Sequence, residues 1–308
     1  MFGYRMILLI VLAVLLCFPA YVSATSYTFT TVDFPGAGET LAQGINNQGQ
    51  IVGRYQDSTG YHGYLLSGGS FTTIDFPSAT LTNILAINNA GQMVGLYNDT
   101  AGSTHGFLLS GGSFSTLDFP NAVLTAAFGI NDIGEIVGAY RESMSGEHGF
   151  LLSGGNYNTV DFPTASLTEA RGNNREGQIV GVYQDVNTRR EHGFELSLGI
   201  YTTLDLPGSG FTDANDINNE GQITGAYLDA AGRHGYVLSG DSFSTLDFPN
   251  ATDTDSLGLN DLGQGVGFYN DGNGLHGFVA TPVPEPGSLV LLPIALLGLV
   301  TAKRKLHQ

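Results

Sequence analysis

His105-Gly106-Phe107-Leu108-Leu109-Ser110-Gly111-Gly112-Ser113-Phe114-Ser115-Thr116-Leu117-Asp118-Phe119-Pro120 is the stretch that decides the fold. It reads as two short strands around Gly111-Gly112, a two-residue hairpin loop of the primed kind. Ser110 then faces Ser113, and five pairs further out His105 faces Asp118. The spacing predicts a cross-strand hydrogen bond between that histidine and that aspartate.

The same wording recurs along the chain. Asp-Phe-Pro begins at Asp33, Asp75, Asp118, Asp161 and Asp247, with Asp205-Leu206-Pro207 as a variant. His-Gly recurs at His62, His105, His148, His192, His234 and His276, and a turn glycine at Gly49, Gly91, Gly134, Gly177, Gly221 and Gly263. Every Asp lies 16 residues before its turn glycine, and each of the first five histidines 13 residues before its Asp. Fixed spacing marks hydrogen-bonded hairpins; only the segment leading to each His varies, which marks an open loop. The pairs predicted are His62 with Asp75, His105 with Asp118, His148 with Asp161, His192 with Asp205 and His234 with Asp247.

Each copy reads as four strands in a period near 43 residues, the signature of a propeller blade. In the second copy they fall at about 83–87, 92–97, 106–109 and 113–119. One Asp-Phe-Pro strand (27–35) precedes any complete copy, and the last copy stops after its third strand. The N-terminal strand should therefore complete the sixth blade and pair His276 with Asp33. The fold expected is an all-β, six-bladed β-propeller, with a β-solenoid or a pair of sheets as alternatives.

Composition agrees with many short strands and tight turns: 308 residues with 44 Gly, 14 Tyr, 18 Phe and no Trp. The one cysteine, Cys17, lies in an N-terminal apolar run, so no disulfide staples the body. Between the two end segments stand seven arginines and no lysine against 27 acids. Such a surface repels nucleic acid and anionic lipid.

The ends read as sorting signals. Residues 1–24 carry Arg5, an apolar run at 6–18 and Val22-Ser23-Ala24, the layout of a secretory signal peptide; a retained anchor is the alternative. At the other end, Val283-Pro284-Glu285-Pro286 precedes a mostly apolar stretch at 289–302 and then Lys303-Arg304-Lys305. Fourteen helical residues span about 21 Å, short of a ~30 Å hydrocarbon core, and the basic cluster favours a cytoplasmic C-terminus. Residues 282–308 resemble the PEP-CTERM sorting signal of Gram-negative bacteria. The resemblance implies a transmembrane sorting helix, export through the Sec machinery, transient membrane anchoring, recognition by an exosortase with cleavage near Pro284–Pro286, and an exopolysaccharide-producing setting; an ordinary tail anchor is the alternative.

Residues 25–281 form the repeat body. Its Ile-Asn-x-x-Gly-Gln-Ile-Val-Gly and His-x-Phe-Leu pieces resemble the HAF-type repeat of bacterial surface proteins, although Gly replaces the Ala of that name in all six copies. That resemblance implies location and architecture, not an activity.

Three sets of residues invite chemistry. The histidines would each sit on the third strand of their own blade, too far apart to share a metal, which needs ligands at about 2.1 Å; they read as fasteners. A second acidic column, Asp57, Asp99, Glu142, Asp185, Asp229 and Asp271, starts the variable loops and offers either solvated turn acids or weak calcium sites. Finally, symmetry breaks in the first strands of copies four to six. There Glu169, Arg171, Asp213, Asn215, Asp216 and Asp255 replace mostly apolar or small residues. First strands line a propeller's channel, so these groups converge near its mouth as a ligand-binding cluster, unless they are drift among water-exposed positions. No nucleophile–base arrangement, Gly-x-Ser-x-Gly elbow or phosphate loop is visible. The reading is a non-catalytic surface or matrix module contacting exopolysaccharide or other glycans, with a glycan-active hydrolase or lyase using channel carboxylates as the alternative.

Overall fold

A computed structural model describes residues 26–143 and 146–283. The signal at 1–24, the motif residues Pro284, Glu285 and Pro286, and the sorting helix lie outside the described residues, and Val283 is the last one described.

The described chain folds as an all-β propeller of four-stranded antiparallel blades. In the second blade the strands are Leu81–Ile87, Met93–Asn98, Thr104–Ser110 and Ser113–Leu117. They pair in chain order, with Ser110 opposite Ser113 and Gly106 opposite Leu117. The other blades cover residues 39–74, 124–160, 165–204 and 211–245, and the last holds 253–282. Its fourth strand is Tyr27–Val32, which pairs with Leu275–Pro282 from Tyr27 opposite Pro282 to Val32 opposite Gly277. The first and last strands of the described residues are thereby laced into one sheet.

Sequence explains why each blade is built this way. A bulge interrupts the first strand of every blade, as between Ile84 and Ala86. The second strand then passes so close that only glycine fits: a Cβ on Gly95 would stand 2.0 Å from the Asn83 carbonyl oxygen. The second strand begins one residue later than the apolar pattern suggests, at Met93, because Gln92 is engaged by the turn: Asn88 donates to its side chain at 2.9 Å and accepts from its backbone at 3.0 Å.

Between blades the core is aliphatic and aromatic. Val52, Ile84, Ile87, Met93, Tyr97 and Phe107 form one such cluster, repeated around the molecule with local substitutions. The Asp-Phe-Pro loop locks onto it. Phe76 stacks on Tyr97 with ring centroids 3.6 Å apart, and its backbone N–H donates to Thr82 Oγ1 at 3.0 Å. Tyr97 in turn stacks on His105 and shares a hydrogen bond with Thr116.

The turns between first and second strands meet at the narrow end of the channel, where six asparagines form a closed ring. Asn46 donates to the main-chain oxygen of Asn88, Asn88 to Asn131, Asn131 to Asn174, Asn174 to Asn218, Asn218 to Asn260, and Asn260 back to Asn46, at 3.0–3.2 Å. Their Oδ1 atoms also cap their own turns, as Asn46 does for the backbone N–H groups of Gln48 and Gln50.

Candidate functional site

The histidines face aspartates as the hairpin register dictates. Nδ1 of His62 is 2.8 Å from Asp75, His105 3.0 Å from Asp118, His148 2.8 Å from Asp161, His192 2.9 Å from Asp205, His234 2.8 Å from Asp247 and His276 3.0 Å from Asp33. The loop acids meet the same rings from the other side. Nε2 lies 3.5 Å from Asp57 in His62, 3.5 Å from Asp99 in His105, 3.3 Å from Asp229 in His234 and 3.7 Å from Asp271 in His276. Burial pulls the imidazoles of His105 and His234 down, but the aspartates outweigh it and both are raised.

The six loop acids do not come together. Asp57, Asp99, Asp185, Asp229 and Asp271 cap their own turns, as Asp99 does for the backbone N–H groups of Ala101 and Ser103, and Glu142 is exposed. Among the described residues no group of three or more His, Cys, Asp or Glu side chains could hold a metal ion. The calcium expectation therefore finds six separated carboxylates, each already engaged or free in solvent.

The symmetry-breaking residues do converge, with one exception and one addition. Alternation along strands Ala165–Asn173, Phe211–Ile217 and Asp253–Leu259 turns Glu169, Arg171, Asp213, Asn215 and Asp255 toward the channel. They line one side of a cavity of about 430 Å³ at its wide mouth; Gln43, Leu85, Phe128 and Leu257 form the rest. The addition is Arg233, the first residue of the third strand Arg233–Ser239. It sits directly before His234, where the other copies carry Tyr61, Thr104, Glu147, Glu191 and Leu275. It is the one basic residue at that repeat position, a signal that a search confined to first strands passes over.

These groups form a single network. Arg171 donates through Nε to Glu169 at 2.8 Å and through Nη1 to Asn215 at 2.8 Å, with Asp213 3.5 Å away. Arg233 reaches Asp213 at 3.1 Å and Asp255 at 2.6 Å, and its guanidinium lies over the Phe211 ring. Asn215 donates to Asp255 at 3.2 Å and to the Ser256 carbonyl at 2.9 Å. Asp213 and Asp255 are only 5% and 4% exposed. Burial, reinforced by Asp213, pushes Asp255 up to about 6 although Arg233 opposes it. Burial alone would lower Arg171, yet Glu169, Asp213 and Asp255 raise it and keep it charged.

The exception is Asp216. It follows the bulge between Ala214 and Asp216 and lines the narrow neck instead of the mouth. Its two oxygens accept from the backbone N–H groups of Ile217 and Leu259, both at 2.9 Å, which ties the fifth blade to the sixth. Burial pushes it up to about 7. Asp216 is a structural carboxyl, and its assignment to the ligand cluster is corrected. Beyond it the neck holds about 70 Å³, drawn together by Asn219, which donates to both Asp132 at 3.2 Å and Asp261 at 3.0 Å.

The molecule is thus a propeller with charged side chains gathered at one mouth of its channel. Its shape is similar to that of TolB from Acinetobacter baumannii (TM-score 0.57, 13% identity, 77% of this chain and 64% of that one). It is also similar to AofleA from Arthrobotrys oligospora (TM-score 0.52, 12% identity, 85% of this chain and 90% of that one). The chain thus spans less than two thirds of the TolB chain. At such identities the likeness is one of fold. No family model matches the chain, and no curated protein matches its sequence.

Proposed function

We propose that this protein is an exported, non-catalytic carbohydrate-binding propeller of the cell surface or extracellular matrix, with its ligand seated at the wide mouth of the channel. The observation that carries the reading is the mixed polar and apolar lining of that cavity. Glu169, Arg171, Asp213, Asn215, Asp255, Arg233 and Gln43 supply charged and polar groups, and Leu85, Phe128 and Leu257 apolar surface. A sugar ring has the same two characters: hydroxyls around its edge and apolar C–H groups on its faces. A cavity of about 430 Å³ lies within the size range of small-molecule sites.

Export through the Sec machinery and processing by an exosortase follow from the sequence signals at the two ends. The acidic body suits a hydrated polysaccharide matrix and argues against nucleic acid as a partner. Full-length protein screened on a glycan array, with calcium present and chelated, tests the binding role. Retained glycan without turnover, lost on Arg171→Ala, supports it; binding to no polysaccharide leaves a purely structural role. Deleting 284–308 should release the body from membrane association, and unchanged fractionation would contradict the sorting role.

One observation favours a second reading. Asp255, raised to about 6 by burial, and Asp213 share Arg233, so two carboxyls flank one cavity, the paired arrangement that glycosidic chemistry uses. New reducing ends or unsaturated products released from a bound polysaccharide would establish that reading over the first.

A further inference from the structure

The pocket's charges and its unpartnered atoms together narrow the ligand class, on the reading of the site as a carbohydrate pocket. Arg171 and Arg233 carry two positive charges; Glu169, Asp213 and Asp255 can carry three negative ones. Each guanidinium is already held by carboxylates, so neither stands free for an acidic ligand. Two buried atoms in this network nevertheless have no hydrogen-bond partner: Asp213 Oδ1 and Arg233 Nε. They belong to side chains joined at 3.1 Å through the other ends of their groups. Asp213 is nine-tenths buried and lines the cavity.

One orphan is an acceptor and the other a donor. A ligand carboxylate or sulfate only accepts; it suits Arg233 Nε but sets a negative charge against Asp213. A ligand ammonium only donates; it suits Asp213 but opposes Arg233. A hydroxyl donates once and accepts, so it alone answers both atoms without adding charge to a buried network.

We propose that the pocket selects neutral, hydroxyl-rich sugars, with one ligand hydroxyl donating to Asp213 Oδ1 and accepting from Arg233 Nε, and discriminates against uronate, sulfated and amino sugars of the same backbone. Phe128, Leu85 and Leu257 receive the apolar face of the ring.

The test is calorimetric titration of the secreted full-length protein with three sets of oligosaccharides matched in length and linkage: neutral hexose, hexuronate and hexosamine. The neutral set should bind tighter than either charged set by about tenfold or more, with little change on raising salt. Asp213→Asn and Arg233→Gln, each confirmed as folded by its melting transition, should abolish that preference. Preferred, salt-sensitive binding of the uronate set overturns this selectivity while leaving the carbohydrate reading intact. Failure of all three sets to bind overturns both.

Discussion

Asn260 of the last blade donates through Nδ2 to the main-chain oxygen of Asn46 in the first, across 214 residues of sequence and at 3.1 Å. It is one bond of six in the ring around the neck, but it is the one that chain connectivity cannot supply. Five of the bonds join blades that follow one another in sequence. The sixth exists only if the ring is closed, and it lies at the opposite end of the blades from the lacing of Tyr27–Val32 to Leu275–Pro282. Closure is thus secured on the rim by a strand and at the axis by an amide.

Asn260 is therefore expected to be costly to replace. Its Nδ2 serves Asn46 and Gln264, and its Oδ1 accepts from the backbone of Leu262 and Gln264. Asn260→Ala should destabilise by about 2–3 kcal/mol, because buried partners lose their bonds. Asn260→Asp keeps the turn cap but sets a carboxylate oxygen against the Asn46 carbonyl, and should be at least as damaging. Urea melts of both variants measure this; an Asp variant as stable as wild type would show that the ring bond contributes nothing.

The N-terminal strand gives a harsher version of the same test. Without residues 26–35 the last blade has three strands and an open edge facing solvent, and His276 loses Asp33. The truncated protein should lose its cooperative melting transition. An unchanged melting curve would refute closure by this strand as a source of stability.

The histidine fasteners predict a pH dependence of known sign. His105 is stacked on Tyr97 and faces Asp118 on one side and Asp99 on the other, and its pKa is raised in the folded state. His234 stands likewise against Tyr227, Asp247 and Asp229. A group raised on folding contributes stability that is full below its unfolded value, about 6.5, and is lost as pH rises through the folded value. Asp99 and Asp229 are lowered, chiefly by the backbone N–H groups of Ser103 and Ala231; their contribution is present above about pH 4 and is lost as pH falls through the folded values. Melts taken across the alkaline limb should show declining stability, and His105→Gln should flatten that limb without altering sugar affinity.

Legibility in the sequence divides along one physical line. Whatever repeats with fixed spacing could be read: the hairpin register that sets His105 opposite Asp118, the four-strand period, and the completion of the last blade by the first strand. These depend on local geometry and counting. The channel side of the site could be read where symmetry broke on first strands, as at Glu169 and Asp213. Arg233 could not be reached that way, since it sits on a third strand and arrives at the pocket by the length of its side chain. Asp216 breaks the repeat symmetry as its neighbours do, and that signal does not separate the neck, where it lies, from the mouth. The ring asparagines recur at one repeat position in all six copies, four times as Ile-Asn, yet their bonds run between blades, and no pattern within one copy indicates a partner in the next.

One blade departs from the stacking rule in a way that can be repaired. In the other five, Phe of the Asp-Phe-Pro loop stacks on the second-strand Tyr at 3.5–3.7 Å. In the fifth, Leu206 stands there beside Tyr227, buried and in the same loop geometry, with its N–H donated to Thr212. Leu206→Phe should add an aromatic stack worth about 0.5–1.5 kcal/mol. The gain reads directly from thermal melts, and a loss would mean that Phe243, edge-on to Tyr227 in this blade, already claims the space.

The last prediction concerns what the pocket costs the fold. Asp255 is buried and raised from 3.8 to about 6, so the folded protein binds a proton more tightly than the unfolded chain does. A carboxyl raised on folding destabilises progressively as pH climbs from about 4 to about 6 and by a constant amount above that, on the order of 2–3 kcal/mol. Asp216, raised to about 7, adds a slope of the same sign over a wider window. Asp255→Asn keeps the shape and removes the charge while leaving Arg233 its contact with Asp213. It should make the protein more stable at neutral pH by on the order of 1–2 kcal/mol, since part of the gain is lost with the Arg233 pair, and should remove one portion of the acid-side slope. Asp216→Asn should remove the other. Sugar binding should weaken in the first variant and persist in the second. Such an exchange of stability for binding is expected where a carboxylate is buried for use rather than for packing. If Asp255→Asn is less stable at neutral pH and keeps the full slope, the charge is there to hold the blades together, and the pocket is a by-product.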